Sequence, residues 1–153
     1  LYKPFVLFFL PGFLLLGTGV FSFLVFYWGP LTLFRIRFDY HPMFLSSLLI
    51  ITGFQLVLFS LFAKTYAVTH LEDEPSLDRF YRYANIETAS ALGLGVILLG
   101  GSIYMGIFAK WLRPHLGALN EVKNAVLGLT LIVLGIQTVF AAFMLSVLGI
   151  KRK

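Results

Sequence analysis

Four long runs of this chain carry no charge. Residues 4–34, 40–63, 88–109 and 124–150 contain no Asp, Glu, Lys or Arg, and they are 31, 24, 22 and 27 residues long. Together they take 104 of the 153 residues, so all 19 charged side chains crowd into the other 49. A helix rising 1.5 Å per residue needs about 20 apolar residues to cross a ~30 Å hydrocarbon core, and every run is long enough. A helix on a soluble core keeps charge on its outer face, whereas these runs are apolar all round. Only 12% of the chain is charged, about half the share of a soluble domain. The fold class expected is an all-α membrane protein, with four transmembrane helices in two tandemly repeated hairpins and a short interfacial helix.

Composition excludes several functions. The chain has no Cys, which removes disulfide scaffolds, thiolate metal sites and thiol nucleophiles. Its net charge of +5 is concentrated at span ends, where lipid headgroups rather than nucleic acid are the expected anions. The chain opens Leu1-Tyr2-Lys3-Pro4 without an initiator Met and is read as part of a longer protein. Its first run is too long for a signal-peptide core.

Punctuation divides the runs. Span one, about 5–28, ends at Gly29-Pro30, because proline lacks the amide donor and disfavours helix in the residue before it. Span two, 42–66, opens with proline in its first turn. Glu72-Asp73-Glu74-Pro75 reads as a helix start. The spacing of Leu77, Phe80, Tyr81 and Ala84, with Asp78, Arg79 and Arg82 between them, predicts a surface helix over 77–84. Span three, 88–109, is closed by Lys110-Trp111, and span four runs from Asn124 to about Gly149. The organisation expected is a first hairpin over 1–66, a cytoplasmic connection over 67–87 and a second hairpin over 88–153. An even span count puts both termini on one side. That side holds seven basic residues against five on the other, which favours cytoplasmic termini in the cell membrane.

The chain also repeats itself. At an offset of 82, Leu45, Leu49, Ile50, Gly53, Gln55 and Val57 fall on the identical residues Leu127, Leu131, Ile132, Gly135, Gln137 and Val139. At an offset of 83, Gly12, Gly17 and Trp28 fall on Gly95, Gly100 and Trp111. Each unit holds two spans, so both hairpins enter the membrane in one orientation.

Few residues offer chemistry. Gln55 and Gln137 stand near mid-span, where an unpaired amide is expensive. Their duplication favours interhelical hydrogen bonding over a headgroup site. The small residues along spans one and three suit close helix approach. Asp39, His41 and His115 sit at the far end without a companion nucleophile, and solvated polar residues are the simpler reading. No metal-ligand cluster or phosphate loop occurs, and no carboxylate lies mid-span, which argues against proton-coupled export. No catalytic and no metal-binding residue is therefore assigned. Arg79, Arg82, Lys151, Arg152 and Lys153 form the candidate contact for a lipid phosphate, beside their simpler role as anchors to anionic lipid.

Tyr2-Lys3-Pro4-Phe5 leading to Pro11-Gly12-Phe13, then Ile50-Ile51-Thr52-Gly53-Phe54-Gln55, with Leu134-Gly135-Ile136-Gln137 and Phe143-Met144-Leu145-Ser146 in the second hairpin, resembles a known family. It is the C-terminal membrane region of family 2 polyprenyl-phosphate glycosyltransferases, and archaeal dolichyl-phosphate mannose synthases with four spans are the members most like it. The resemblance implies a cytoplasmic catalytic domain in cis. That domain would hold a nucleotide sugar and a divalent metal, Mg or Mn, through an Asp-x-Asp motif that this sequence lacks. It implies sugar transfer to dolichyl or another polyprenyl phosphate, with this part anchoring the enzyme and presenting the lipid, and no cofactor of its own. The alternative is a self-contained four-span lipid carrier or flippase.

Overall fold

The computed structural model describes residues 4–28, 31–33, 36–38, 41–70, 86–112 and 121–148. Helix α1 spans Pro4–Trp28, α2 His41–His70, α3 Ile86–Trp111 and α4 Val122–Leu148. All four are long and apolar enough to cross a membrane, and the chain is a multi-pass membrane protein. At 30 residues, α2 is about 45 Å long, so its last turns, which begin near Lys64, extend beyond the hydrocarbon. The predicted surface helix over 77–84 lies outside the described residues.

The connection from α1 to α2 holds an element the sequence reading did not foresee. Strands β1 (Leu31–Leu33) and β2 (Ile36–Phe38) pair antiparallel, with Leu31 opposite Phe38 and Leu33 opposite Ile36.

Within each hairpin the helices meet backbone to backbone. A Cβ placed on Gly12 would lie 2.9 Å from the Val57 nitrogen and 3.0 Å from the Gly53 oxygen, and one on Gly53 would press on the Leu16 backbone. In the second hairpin, a Cβ on Gly93 would lie 2.8 Å from the Gly135 oxygen and 3.0 Å from the Val139 nitrogen, and one on Gly135 would lie 2.9 Å from the Ile97 nitrogen. Gly19 against Ile50 is likewise matched by Gly100 against Ile132. In both first helices the two glycines stand seven residues apart, two turns along one face, and small residues there let the helices close up.

These contacts correct the repeat register. The second helices correspond at 82 residues, as the sequence indicates. Gly12, Leu16 and Gly19 correspond to Gly93, Ile97 and Gly100, an offset of 81 rather than 83. The larger offset pairs Gly12 with Gly95 and Gly17 with Gly100, each time a glycine that packs with one that faces open space. Identity counting cannot separate a glycine that packs from one that faces lipid.

The hairpins join through α2 and α4. Small polar residues occupy the interior: Ser46, Ser47, Ser60, Thr65 and Thr130 are all buried, while Phe21, Leu98 and Phe140 are among the large apolar residues facing outward. Without a hydrophobic drive between helices in lipid, close packing and hydrogen bonds hold such an interface. Ser47 and Thr130 share a buried bond of 2.7 Å across it, and Thr130 also donates to the Val126 carbonyl. An apolar cluster around Phe23, Met43, Ile50 and Val126 fills the space between α1, α2 and α4.

Candidate functional site

Two polar arrangements stand out. The first is the duplicated glutamine: Gln137 Nε2 donates to Gln55 Oε1 at 2.8 Å. Residues related by the repeat thus touch each other, as matched residues do on the axis of a two-fold dimer. Because the repeat is parallel, that pseudo-axis runs along the membrane normal. The bond leaves Gln137 Oε1 buried without a partner.

The second arrangement lies at the end of the bundle away from the chain termini, where α1 and α3 finish and α4 begins. Glu121 caps α4, its carbonyl accepting from the Ala125 amide at 2.9 Å, and its carboxylate lies at the positive end of the helix dipole. Asn124 Nδ2 donates to one carboxylate oxygen, and Lys110 Nζ pairs with the other at 2.6 Å. The Lys110 and Asn124 hydrogen bonds hold the Glu121 carboxyl below its ordinary value of 4.5, against a smaller opposing effect of desolvation. Two bonds then reach the first hairpin. Tyr27 Oη donates to Asn124 Oδ1 at 3.0 Å, and Lys123 Nζ donates to the Phe26 carbonyl at 3.0 Å. That carbonyl is one of the last four of α1, which have no partner within the helix, so a cation there also meets the negative end of its dipole.

Beside this network lies an open cleft of about 280 Å³, with Tyr27 on one side, Ile103, Gly106, Ile107 and Lys110 on the other, and Glu121, Asn124 and Leu127 along α4. Sequence reading counted Lys110 and Lys123 only as span-end cations and did not single out Glu121 or Asn124. The available signal was the pair of opposite charges, Lys110 and Glu121, bracketing the connection between spans three and four.

Of the residues the sequence singled out, Gln55 and Gln137 meet. Arg79, Arg82, Lys151, Arg152 and Lys153 lie outside the described residues, as do Asp39 and His115, and His41 is the first residue of α2. Among the described residues, no group of three His, Cys, Asp or Glu side chains comes together to hold a metal ion.

Residues 61–149 match the model of the glycosyltransferase family 2 C-terminal transmembrane region. The chain is also similar to the low-salt glycan biosynthesis hexosyltransferase Agl6 of Haloferax volcanii, at 32% identity over 148 residues. That alignment covers 95% of this chain and 35% of the relative, so the chain spans about a third of the length of the curated protein it matches. No solved structure matches it. With over half its length inside the family model and all four helices able to span a membrane, the chain belongs to the family 2 glycosyltransferases, as their C-terminal transmembrane region.

Proposed function

We propose that this region anchors a sugar-transferring enzyme at the cytoplasmic leaflet and presents its lipid acceptor, a polyprenyl phosphate of the dolichyl type. Both termini face the cytoplasm, and a catalytic domain in cis supplies the nucleotide sugar, mannose by preference, together with Mg or Mn. The observation that carries this reading is membership of the family 2 transmembrane region, supported by similarity to a glycan-building hexosyltransferase.

The physical division of labour follows from the surface. Outward Phe21, Leu98 and Phe140 offer an isoprenoid tail the same apolar contact that bilayer chains offer, so tail burial selects little. Selection falls to the phosphate, held at headgroup level by Arg79 and Arg82 and by Lys151-Arg152-Lys153, each interfacial charge contributing about 1 kcal/mol.

The test is acceptor kinetics in the full-length enzyme. Replacing Arg79 and Arg82 together by Gln should raise KM for polyprenyl phosphate about thirtyfold, the equivalent of ~2 kcal/mol, and leave that for the nucleotide sugar unchanged. An unchanged acceptor KM overturns the reading, and so does full activity on a long-chain acceptor once all four spans are deleted. Lipid scrambling by the purified protein would favour the carrier instead.

A further inference from the structure

Acceptor presentation makes no use of the cleft at the loop end, which is divided in chemistry. At its rim stand Lys110, Glu121, Asn124 and Tyr27. Deeper along the helices its walls are Ile103, Ile107 and Leu127, with Ser102, whose hydroxyl donates to the Leu99 carbonyl. Its volume, about 280 Å³, lies at the lower limit of small-molecule sites, which suits part of an amphiphile. Gly106 opens into it: a Cβ there would meet nothing within 4 Å.

The balance of charge selects the headgroup. Two of the described lining residues are charged, Lys110 and Glu121, and they pair with each other; Lys123, at the same end of the bundle and held on the Phe26 carbonyl, adds one positive charge beside the cleft. An ammonium has three donors. Lys110 uses one on Glu121, and its side chain remains 55% exposed. The first turn of α4 adds the positive end of a helix dipole. Largely apolar walls below an exposed ammonium and a helix N-terminus, in a protein that crosses a bilayer, fit an anion carrying hydrocarbon.

We propose that this cleft binds an anionic phospholipid. The phosphate takes the remaining donors of Lys110, and a chain lies against Gly106, Ile103, Ile107 and Leu127. Because Tyr27 belongs to the first hairpin and every other lining residue named here to the second, the bound lipid ties the two hairpins together at this end. The proposal is independent of the reading of Arg79 and Arg82.

The test uses the purified protein, lipid retention by native mass spectrometry and thermal stability. Three probes separate the chemistry: dioleoylphosphatidylglycerol, dioleoylglycerol with the same chains and no phosphate, and glycerol 3-phosphate with no chains. Retention and stabilisation are expected with the first alone. Lys110→Gln should lower its retention about fivefold, the worth of one interfacial charge. Glu121→Gln breaks the same ion pair but removes a competing negative charge, so it should raise retention. Gly106→Phe fills the cleft away from the packed helix crossings and should abolish retention even if Lys110→Gln fails to fold. Equal losses in Lys110→Gln and Glu121→Gln would reduce the pair to a structural link and overturn the proposal. Unchanged retention in Gly106→Phe would also overturn it. Stabilisation by glycerol 3-phosphate as strong as by the whole lipid would mark a free-phosphate site instead.

Discussion

In the first hairpin Gly12 and Gly19 of α1 lie against Gly53 and Ile50 of α2, and in the second Gly93 and Gly100 of α3 lie against Gly135 and Ile132 of α4. Away from these crossings the two units diverge. One connection contains a two-stranded β-ribbon, and the other is bracketed by the ion pair of Lys110 and Glu121. On α4, Val126 and Thr130 are buried at 3% and 4%, yet their counterparts on α2, Phe44 and Leu48, are exposed at 51% and 58%. Helix α1 reaches across to α4 through Tyr27 and the Phe26 carbonyl, so α4 meets the other three helices. The lesson concerns two kinds of contact. A close crossing needs only an absent side chain at fixed spacing, and it copies intact with the sequence. Docking between units depends on particular side chains, which can change in one copy without disturbing the crossing in either.

Breaking the shared feature should have the largest effect. Gly53→Val and Gly135→Val each force a side chain into the opposing backbone, and each should cost about 3 kcal/mol, the upper end for overpacking. Gly17→Val and Gly95→Val enter open space and should leave the unfolding midpoint in mild detergent nearly unchanged. A loss at Gly95 as large as at Gly135 would restore the 83-residue register.

The glutamine bridge sharpens the comparison at the pseudo-axis, with an intermediate effect. Gln55→Leu strands the Gln137 amide, whose Oε1 is already without a partner. Gln137→Leu removes that orphan and strands only Gln55 Oε1. Both should destabilise within about 0.6–2 kcal/mol, the range for interhelical polar contacts, and Gln55→Leu should cost more. Sugar transfer by the parent enzyme should persist in both. A stable variant with abolished transfer would give the pair a role in the reaction.

The smallest effect belongs to the ion pair of Lys110 and Glu121 in the second hairpin. Its partners hold the Glu121 carboxyl below 4.5, so the folded state binds this proton less readily than the unfolded chain does. Its contribution is complete above 4.5 and fades as pH falls through the lowered folded value. A melting-temperature profile from pH 6 to pH 3 should therefore fall in the native protein, and Glu121→Gln should remove that part of the slope. Identical profiles would show that the pair is too solvated to couple to folding.

The sequence alone determined the four spans, their grouping into two hairpins and an interhelical hydrogen-bonding role for Gln55 and Gln137, while the tertiary structure decided that the two bond to each other. The physical reason is that lipid excludes charge from whole helical lengths, and polar residues at mid-span are costly unless they find a partner. Strands β1 and β2 were not legible, because three-residue segments carry too little periodicity to read. Only the tertiary structure decided which glycines pack, since a glycine against a backbone and a glycine against lipid are the same letter. It alone gathered Tyr27, Lys110, Glu121 and Asn124 around one cleft. Tyr27 and Asn124 lie 97 residues apart, and their bond depends on α1 leaning across to α4, a choice made by packing between hairpins rather than by any local spacing.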